Sequence, residues 1–377
     1  MKIVIIIDSL KGSLSSIEAG KCIKEGIERV RSDCEIIISP LADGGEGTVE
    51  ALVEGMNGKY QEVSVLDPLG REILAKYGIT DQLAIMEMAQ ASGITLVREE
   101  EKDPMVATTY GVGQMIKDAI EQGCRRFIIG IGGSATNDGG IGMLQALGFN
   151  FLDKNNEEIG FGPKEIEKLD RIDDTHKLKE LDECEFMIAC DVNNPLCGEK
   201  GASYVYGPQK GADEITVKEL DDLLRKYAKI TKKYNPDSDE DYPGVGAAGG
   251  LGFAFYNFLN GKLESGIDLI LDELGIEEEI KDCDLVITGE GQLDFQTSMG
   301  KAPIGVAKLA KKYDKKVIAF AGGVTKDARE CNNKGIDAYF PIVRGVTSLE
   351  EALNKENAAN NMIDSVEQVF RLIQICE

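Results

Sequence analysis

Short continuous apolar runs recur along the chain, and most are followed by a glycine-rich or polar loop and then by apolar positions at helical spacing. Lys2–Ile7 reads as a buried strand. Ala19, Ile23, Ile27 and Val30 then fall four, four and three residues apart, the spacing of one helix face. Glu35–Ser39 predicts a second strand and Thr48–Met56 a helix. Further strand-type runs are Leu83–Met88, Phe127–Ile131, Phe186–Ala189, Leu285–Thr288, Val317–Ala321 and Ala338–Val343, and Met362, Val366, Val369 and Ile373 mark a late helix. Alternation of this kind predicts an α/β architecture with largely parallel strands.

The length of 377 residues exceeds what one core usually supports, so two domains are expected. After Asp67-Pro-Leu-Gly70 the alternation becomes less regular, with long loops at 191–213 and 235–250, and it returns near Asp284. The expected organisation is a discontinuous doubly wound domain of residues 1–70 plus 265–377, with an inserted α/β domain at 71–264.

Charge and cysteine usage narrow the function. The net charge of −24 disfavours nucleic acid and anionic membrane surfaces by repulsion. No run approaches the ~18 apolar residues of a membrane span. The opening Met1–Ile7 run is too short for a signal peptide and Asp8 interrupts it. Nine cysteines contain no Cys-x-x-Cys pair and read as reduced thiols, so a cytoplasmic protein is expected. Cys184, Cys190 and Cys197 are wrongly spaced for zinc. His176 is the only histidine and lies in a polar, surface-type stretch, which argues against Ser-His-Asp and Cys-His mechanisms.

Six polar or glycine-rich segments each follow a strand-type run: 8–15, 42–48, 130–140, 191–195, 289–294 and 321–324. In open α/β sheets ligands bind beyond the carboxyl ends of strands, so this many loops support one extended polar site. In 132–138, Gly132, Gly133 and Ser134 offer close backbone approach to an anion, and Asn137 and Asp138 add an amide and a carboxylate. Gly130-Ile-Gly-Gly-Ser-Ala135 matches a dinucleotide fingerprint, but its helix is expected to start late, near Gly139. Gly244-Val-Gly-Ala-Ala-Gly249 follows Pro243 and not a strand, so its required context fails. The P-loop pattern is absent.

Lys11, Lys210 and Lys301 each stand beside glycine in a loop, where they suit anionic ligand groups; a solvated lysine is the bland alternative. Asp43, Glu46, Asp191, Glu290 and Asp294 also follow strand-type runs. They could hold Mg²⁺ or accept a hydroxyl proton, though aspartates also cap helices and brace turns. Phosphoryl transfer rests on positioning and charge stabilisation and needs no histidine, so this inventory favours it over acyl transfer.

In this order the segments resemble the bacterial glycerate kinase family of the glycerate 2-kinase type. The matching stretches are 8–15, 42–48, 132–140, 189–196, 206–212, 246–252 and 288–294, with Gln296-Thr297 and 300–303. The similarity covers nearly the whole chain. It departs at Ile7 and Leu10, where the family usually has Pro and Phe; Asp8, Lys11 and Ser13 are kept.

The resemblance implies ATP- and Mg²⁺-dependent phosphorylation of D-glycerate in a cleft between two α/β domains, the terminal one Rossmann-like or flavodoxin-like. Transfer to O2, giving 2-phosphoglycerate, is favoured over O3. Lys11, Asp191, Asp294 and Lys301 are the catalytic candidates, with Asp191 as base and Lys301 neutralising the transferred phosphoryl group. Asp8, Ser13, Gly132, Gly133, Ser134, Asn137, Asp138 and Glu290 are expected to bind substrate or phosphate, and Asp43 is the metal candidate. Rival expectations are a kinase of another small hydroxy acid and a non-catalytic ATP or hydroxy-acid sensor.

Overall fold

Strands form where the apolar runs stand. The computed structural model describes residues 1–42, 44, 45 and 47–376. In chain order its strands are β1 (Lys2–Ile7), β2 (Glu35–Pro40), β3 (Lys59–Leu66), β4 (Glu72–Thr80), β5 (Leu83–Glu87), β6 (Arg126–Gly130), β7 (Asn150–Leu152), β8 (Arg171–Asp173), β9 (Glu185–Ala189), β10 (Lys262–Glu264), β11 (Leu285–Leu293), β12 (Lys316–Val324) and β13 (Ala338–Pro341). They are distributed over two compact units. One comprises Met1–Asp43, Glu50–Met56 and Ile267–Glu377, the other Gly44–Val49 and Asn57–Gly266.

The first unit holds a five-stranded parallel sheet in the order β13-β12-β11-β1-β2. Numbered along this unit alone, that is 2-1-3-4-5, the doubly wound flavodoxin-like order. Residues Ile3 to Ile7 of β1 have no solvent exposure, as expected of a strand covered on both faces. Ile3, Ile5 and Ile7 join Ala19, Ile23 and Ile27 of the helix Ser16–Glu28 and Met362, Val366 and Phe370 of the helix Lys355–Cys376 in one core. Each buried Ile, Met, Val or Phe side chain among them is worth about 1.5–3 kcal/mol relative to leaving it in water. Ser15 caps the first helix in a reciprocal box with Glu18, which fixes where the chain turns back after the β1 loop.

The second unit holds a six-stranded mixed sheet, β10-β9-β6-β5-β4-β3, and a small β7–β8 hairpin. Its β5, β6, β9 and β10 are parallel, whereas β3 and β4 run antiparallel. Asp67-Pro-Leu-Gly70, expected to be a boundary, forms the β3–β4 turn within this unit. The Asp67 carboxylate accepts from the Leu69 and Arg71 amides, and the division between units falls after Met56. The glycine-rich stretch near Gly249 serves packing. Ala248, Gly249 and Gly250 have positive φ, and a Cβ on Gly249 would lie 2.0 Å from the Thr136 carbonyl oxygen. The Gly139 amide donates to the Gly249 carbonyl at 3.0 Å, so two backbones cross there in contact.

No helix among the described residues is long and apolar enough to cross a membrane. None of the nine cysteines is in a disulfide among the described residues.

Candidate active site

In the first unit the chain reverses its winding between β1 and β11, and ligand crevices form at such a switch point beyond the carboxyl ends of the strands. A cavity of about 460 Å³ opens there. It brings together Asp8, Lys11, Ser13, Glu290, Asp294 and Lys301 from segments far apart in sequence. Asp8 ends β1. It is 3% exposed, its amide donates to the Gly289 carbonyl at 2.9 Å, and its carboxylate accepts from the Ser9 amide at 2.6 Å. Gly289 allows this close approach. At φ 159° its backbone is nearly extended, but a Cβ there would lie 1.8 Å from the Phe320 carbonyl oxygen. Lys11 is exposed in the following tight turn, and the Ser13 hydroxyl donates to the Leu10 carbonyl.

Glu290 lies near the end of β11 and is buried. Its carboxylate accepts from the Thr297 hydroxyl at 2.5 Å. Asp294 caps the short helix Phe295–Ser298: its carboxylate accepts from the Thr297 amide at 3.0 Å, while its own amide donates to the Thr297 hydroxyl at 3.1 Å. Thr297 therefore orients both carboxylates at once. Lys301 occupies the N-cap position of the helix Ala302–Lys312 and is half-buried.

The loop after β6 belongs to the second unit and is mostly turned inward. Gly132 and Gly133 are exposed, whereas Ser134, Asn137 and Asp138 are buried. The Ser134 hydroxyl accepts from the Lys210 ammonium at 2.7 Å, and that ammonium also donates to the Thr136 carbonyl at 2.6 Å. The Asn137 amide donates to Ser203; its side-chain oxygen is buried with no hydrogen-bond partner among the described residues. The Asp138 carboxylate accepts from the Thr109 amide and hydroxyl and from the Gly140 and Gly142 amides. Burial pushes its pKa up against those bonds. The helix that follows, Ile141–Ala146, starts late, as the sequence suggested.

Lys210 is 2% exposed, and burial pulls its ammonium down to about 7, opposed by the Asp138 charge. Asp191 follows β9, also in the second unit. It is exposed and accepts from the Gly266 amide at 3.0 Å.

Asp43 and Glu46 lie outside the described residues. Among the described residues no group of three or more Asp, Glu, Cys or His side chains is arranged to hold a metal ion. The lone histidine, His176, is exposed on the surface. Sequence reasoning left Thr297 without a role of its own and missed the apolar side of the cavity, formed by residues such as Ile342, Leu349 and Leu353. The Thr297 role was foreshadowed by the Asp294-x-x-Thr spacing of a capping box.

A doubly wound sheet with lysines and carboxylates gathered at its switch point defines an α/β protein built to bind a charged small molecule. The model of the glycerate kinase family matches residues 3–374. Glycerate 2-kinase of Escherichia coli K12 is 48% identical over 93% of each chain, and a glycerate kinase of Bacillus subtilis 168 is 44% identical over 100% of this chain and 99% of its own. A crystal structure from Salmonella typhimurium LT2, assigned to glycerate kinase 2, superposes with a TM-score of 0.92 at 43% identity, covering 100% of this chain and 98% of that one. The chain belongs to the glycerate kinase family, and it is an enzyme, a phosphotransferase.

Proposed function

We propose that this chain transfers the γ-phosphoryl group of ATP to the 2-hydroxyl of D-glycerate, giving 2-phosphoglycerate and ADP. The observation that carries the reading is the single cavity in which Lys11 and Lys301 meet Asp8 and Glu290 at the switch point. Phosphoryl transfer is catalysed mainly by positioning and by neutralising the charge on the phosphoryl oxygens, which suits two lysines in an acidic chain. Lys11 and Lys301 hold the phosphates. Asp191 receives the hydroxyl proton as the glycerate oxygen bonds to phosphorus and ADP leaves. The exposed Gly132 and Gly133 are what the second unit's loop offers an anion, since the side chains from Ser134 to Asp138 face inward.

A magnesium ion fits this donor set. Mg²⁺ takes one or two carboxylates together with phosphate oxygens, and the buried Glu290 and Asp8 border the cavity beside the lysines. Those two residues would hold it, and it would supply charge neutralisation on the phosphates. Transfer to O2 is supported by the name of the Escherichia coli relative, glycerate 2-kinase. A cytoplasmic location belongs to the same reading, supported by nine cysteines outside any disulfide among the described residues.

The test is ADP release with D-glycerate, L-glycerate or no acceptor, each with and without Mg²⁺, and phosphorus NMR of the product. D-glycerate- and Mg²⁺-dependent turnover to 2-phosphoglycerate is expected. Acceptor-independent ADP release, or a 3-phosphoglycerate product, would overturn the corresponding part. Lys11→Ala should lower kcat/KM on the order of 10²-fold; near wild-type kinetics would remove its assigned role.

A further inference from the structure

The switch-point cavity has two unlike sides. One is charged, with Lys11, Lys301, Asp8 and Glu290. The other is apolar: Ile342 and Val343 follow β13, and Leu349, Ala352 and Leu353 come from the helix Leu349–Leu353. The sides adjoin, because a Cβ on Gly12, the residue after Lys11, would lie 3.5 Å from a Leu353 methyl carbon. Folding leaves part of this apolar surface in water: Leu349 is 75% and Leu353 38% exposed, behind the buried Ile342. Exposed apolar surface gathered at the rim of a charged pocket marks a ligand with a matching apolar part.

Glycerate has no such part. It is a three-carbon acid with polar groups on every carbon, and it would fill a fraction of about 460 Å³. A purine nucleotide has both parts, a flat apolar base at one end and an anionic tail at the other. The rival location is the loop after β6, whose polar side chains are engaged inside the second unit.

Resting on the ATP-dependent reading above, we propose that the first unit's cavity is the nucleotide site, with the adenosine moiety against Ile342, Leu349 and Leu353 and the phosphates at Lys11 and Lys301. The acceptor acid is then held elsewhere. Adenine lies on aliphatic side chains, so the wall contributes to nucleotide affinity and leaves the acceptor untouched.

The double substitution Leu349→Ser with Leu353→Ser tests this on the full chain, and both positions are exposed enough to spare the fold. ADP and inorganic triphosphate are titrated into wild type and variant by calorimetry, and KM is measured for ATP and for D-glycerate. The expected result is a rise of about tenfold or more in the ADP Kd and the ATP KM. Inorganic triphosphate affinity and the D-glycerate KM should stay unchanged. Photolabelling with 8-azido-ATP should mark a peptide within 342–353.

Unchanged ADP affinity, a rise in the D-glycerate KM alone, or a label within 130–140 would overturn the assignment while ATP turnover by wild type still stands. Wild type that binds ADP through this wall but shows no turnover with ATP would keep the site and remove the ATP-dependent reading. Failure to bind ADP and to turn over with ATP would remove both.

Discussion

Lys210 shows most clearly what a single residue does here that its sequence neighbourhood conceals. It stands in Gly207-Pro-Gln-Lys-Gly211, a setting that suits a solvated lysine or an anion ligand equally. Instead it is buried and ties Ser134 and Thr136, 76 and 74 residues away, into a fixed loop. Asp138 is the carboxylate whose charge it feels, and Asp138 is itself held by Thr109, Gly140 and Gly142. The polar character of Ser134, Asn137 and Asp138 was plain in the sequence. Which way they face was not, because that depends on a loop arriving from far along the chain. Burial has a measurable consequence. The folded-state pKa of Lys210, about 7, lies below its ordinary 10.5. Between those values the unfolded chain binds a proton that the native chain lacks, so this lysine's contribution to stability rises with pH across that window. Lys210→Met keeps similar bulk and removes the titration. Denaturant unfolding at about pH 7 and about pH 9 should show the wild-type advantage over the variant growing with pH, by up to roughly 1.4 kcal/mol per unit. An advantage that stays flat over that range would show that the ammonium is not desolvated.

At the scale of elements, the site depends on short pieces that hydrophobic patterning does not reveal. The apolar run of β1 was read with its observed limits, and the late start of the helix after β6 was visible in the spacing of Met143, Leu144 and Leu147. β3 and β4 were missed. Their residues alternate between exposed and covered faces and carry several charges, so no continuous apolar run marks them. The one-turn helix Phe295–Ser298 is too short for any periodic signal, yet its cap places two cavity carboxylates. The Thr297 hydroxyl donates to Glu290 and accepts from the Asp294 amide. Thr297→Val removes both bonds while keeping the side chain's shape. A cap is worth about 1 kcal/mol, so the melting temperature should fall modestly. Released carboxylates should cost more in rate, on the order of tenfold in kcat/KM, because small misplacements are expensive in catalysis. Thr297→Ser keeps the hydroxyl and should retain most activity. Steady-state kinetics beside thermal melts will separate the two effects, and equal loss in both variants would remove the hydroxyl from the account.

At the scale of the whole molecule, alternation along the chain indicated α/β architecture and parallel pairing, but the order of strands is a property of the fold that no apolar run encodes. The 2-1-3-4-5 order of the first unit is what turns six scattered polar residues into neighbours on one cavity. Net charge acts at the same scale and opposes that site. The chain carries −24, while the substrates proposed for it are anions. Near 10 mM salt the Debye length is about 30 Å, comparable to a domain, so an approaching anion meets the summed negative field. Near 150 mM it shrinks to about 8 Å, and the ligand responds mainly to charges close to Lys11 and Lys301. Raising KCl across that range should therefore increase kcat/KM for ATP at saturating D-glycerate and Mg²⁺, with the gain ending as the local attraction is screened in turn. The measurement is initial rate at low ATP concentration against KCl. A steady fall from the lowest salt would mean that the local lysines, and not the excess of carboxylates, govern the approach of the nucleotide.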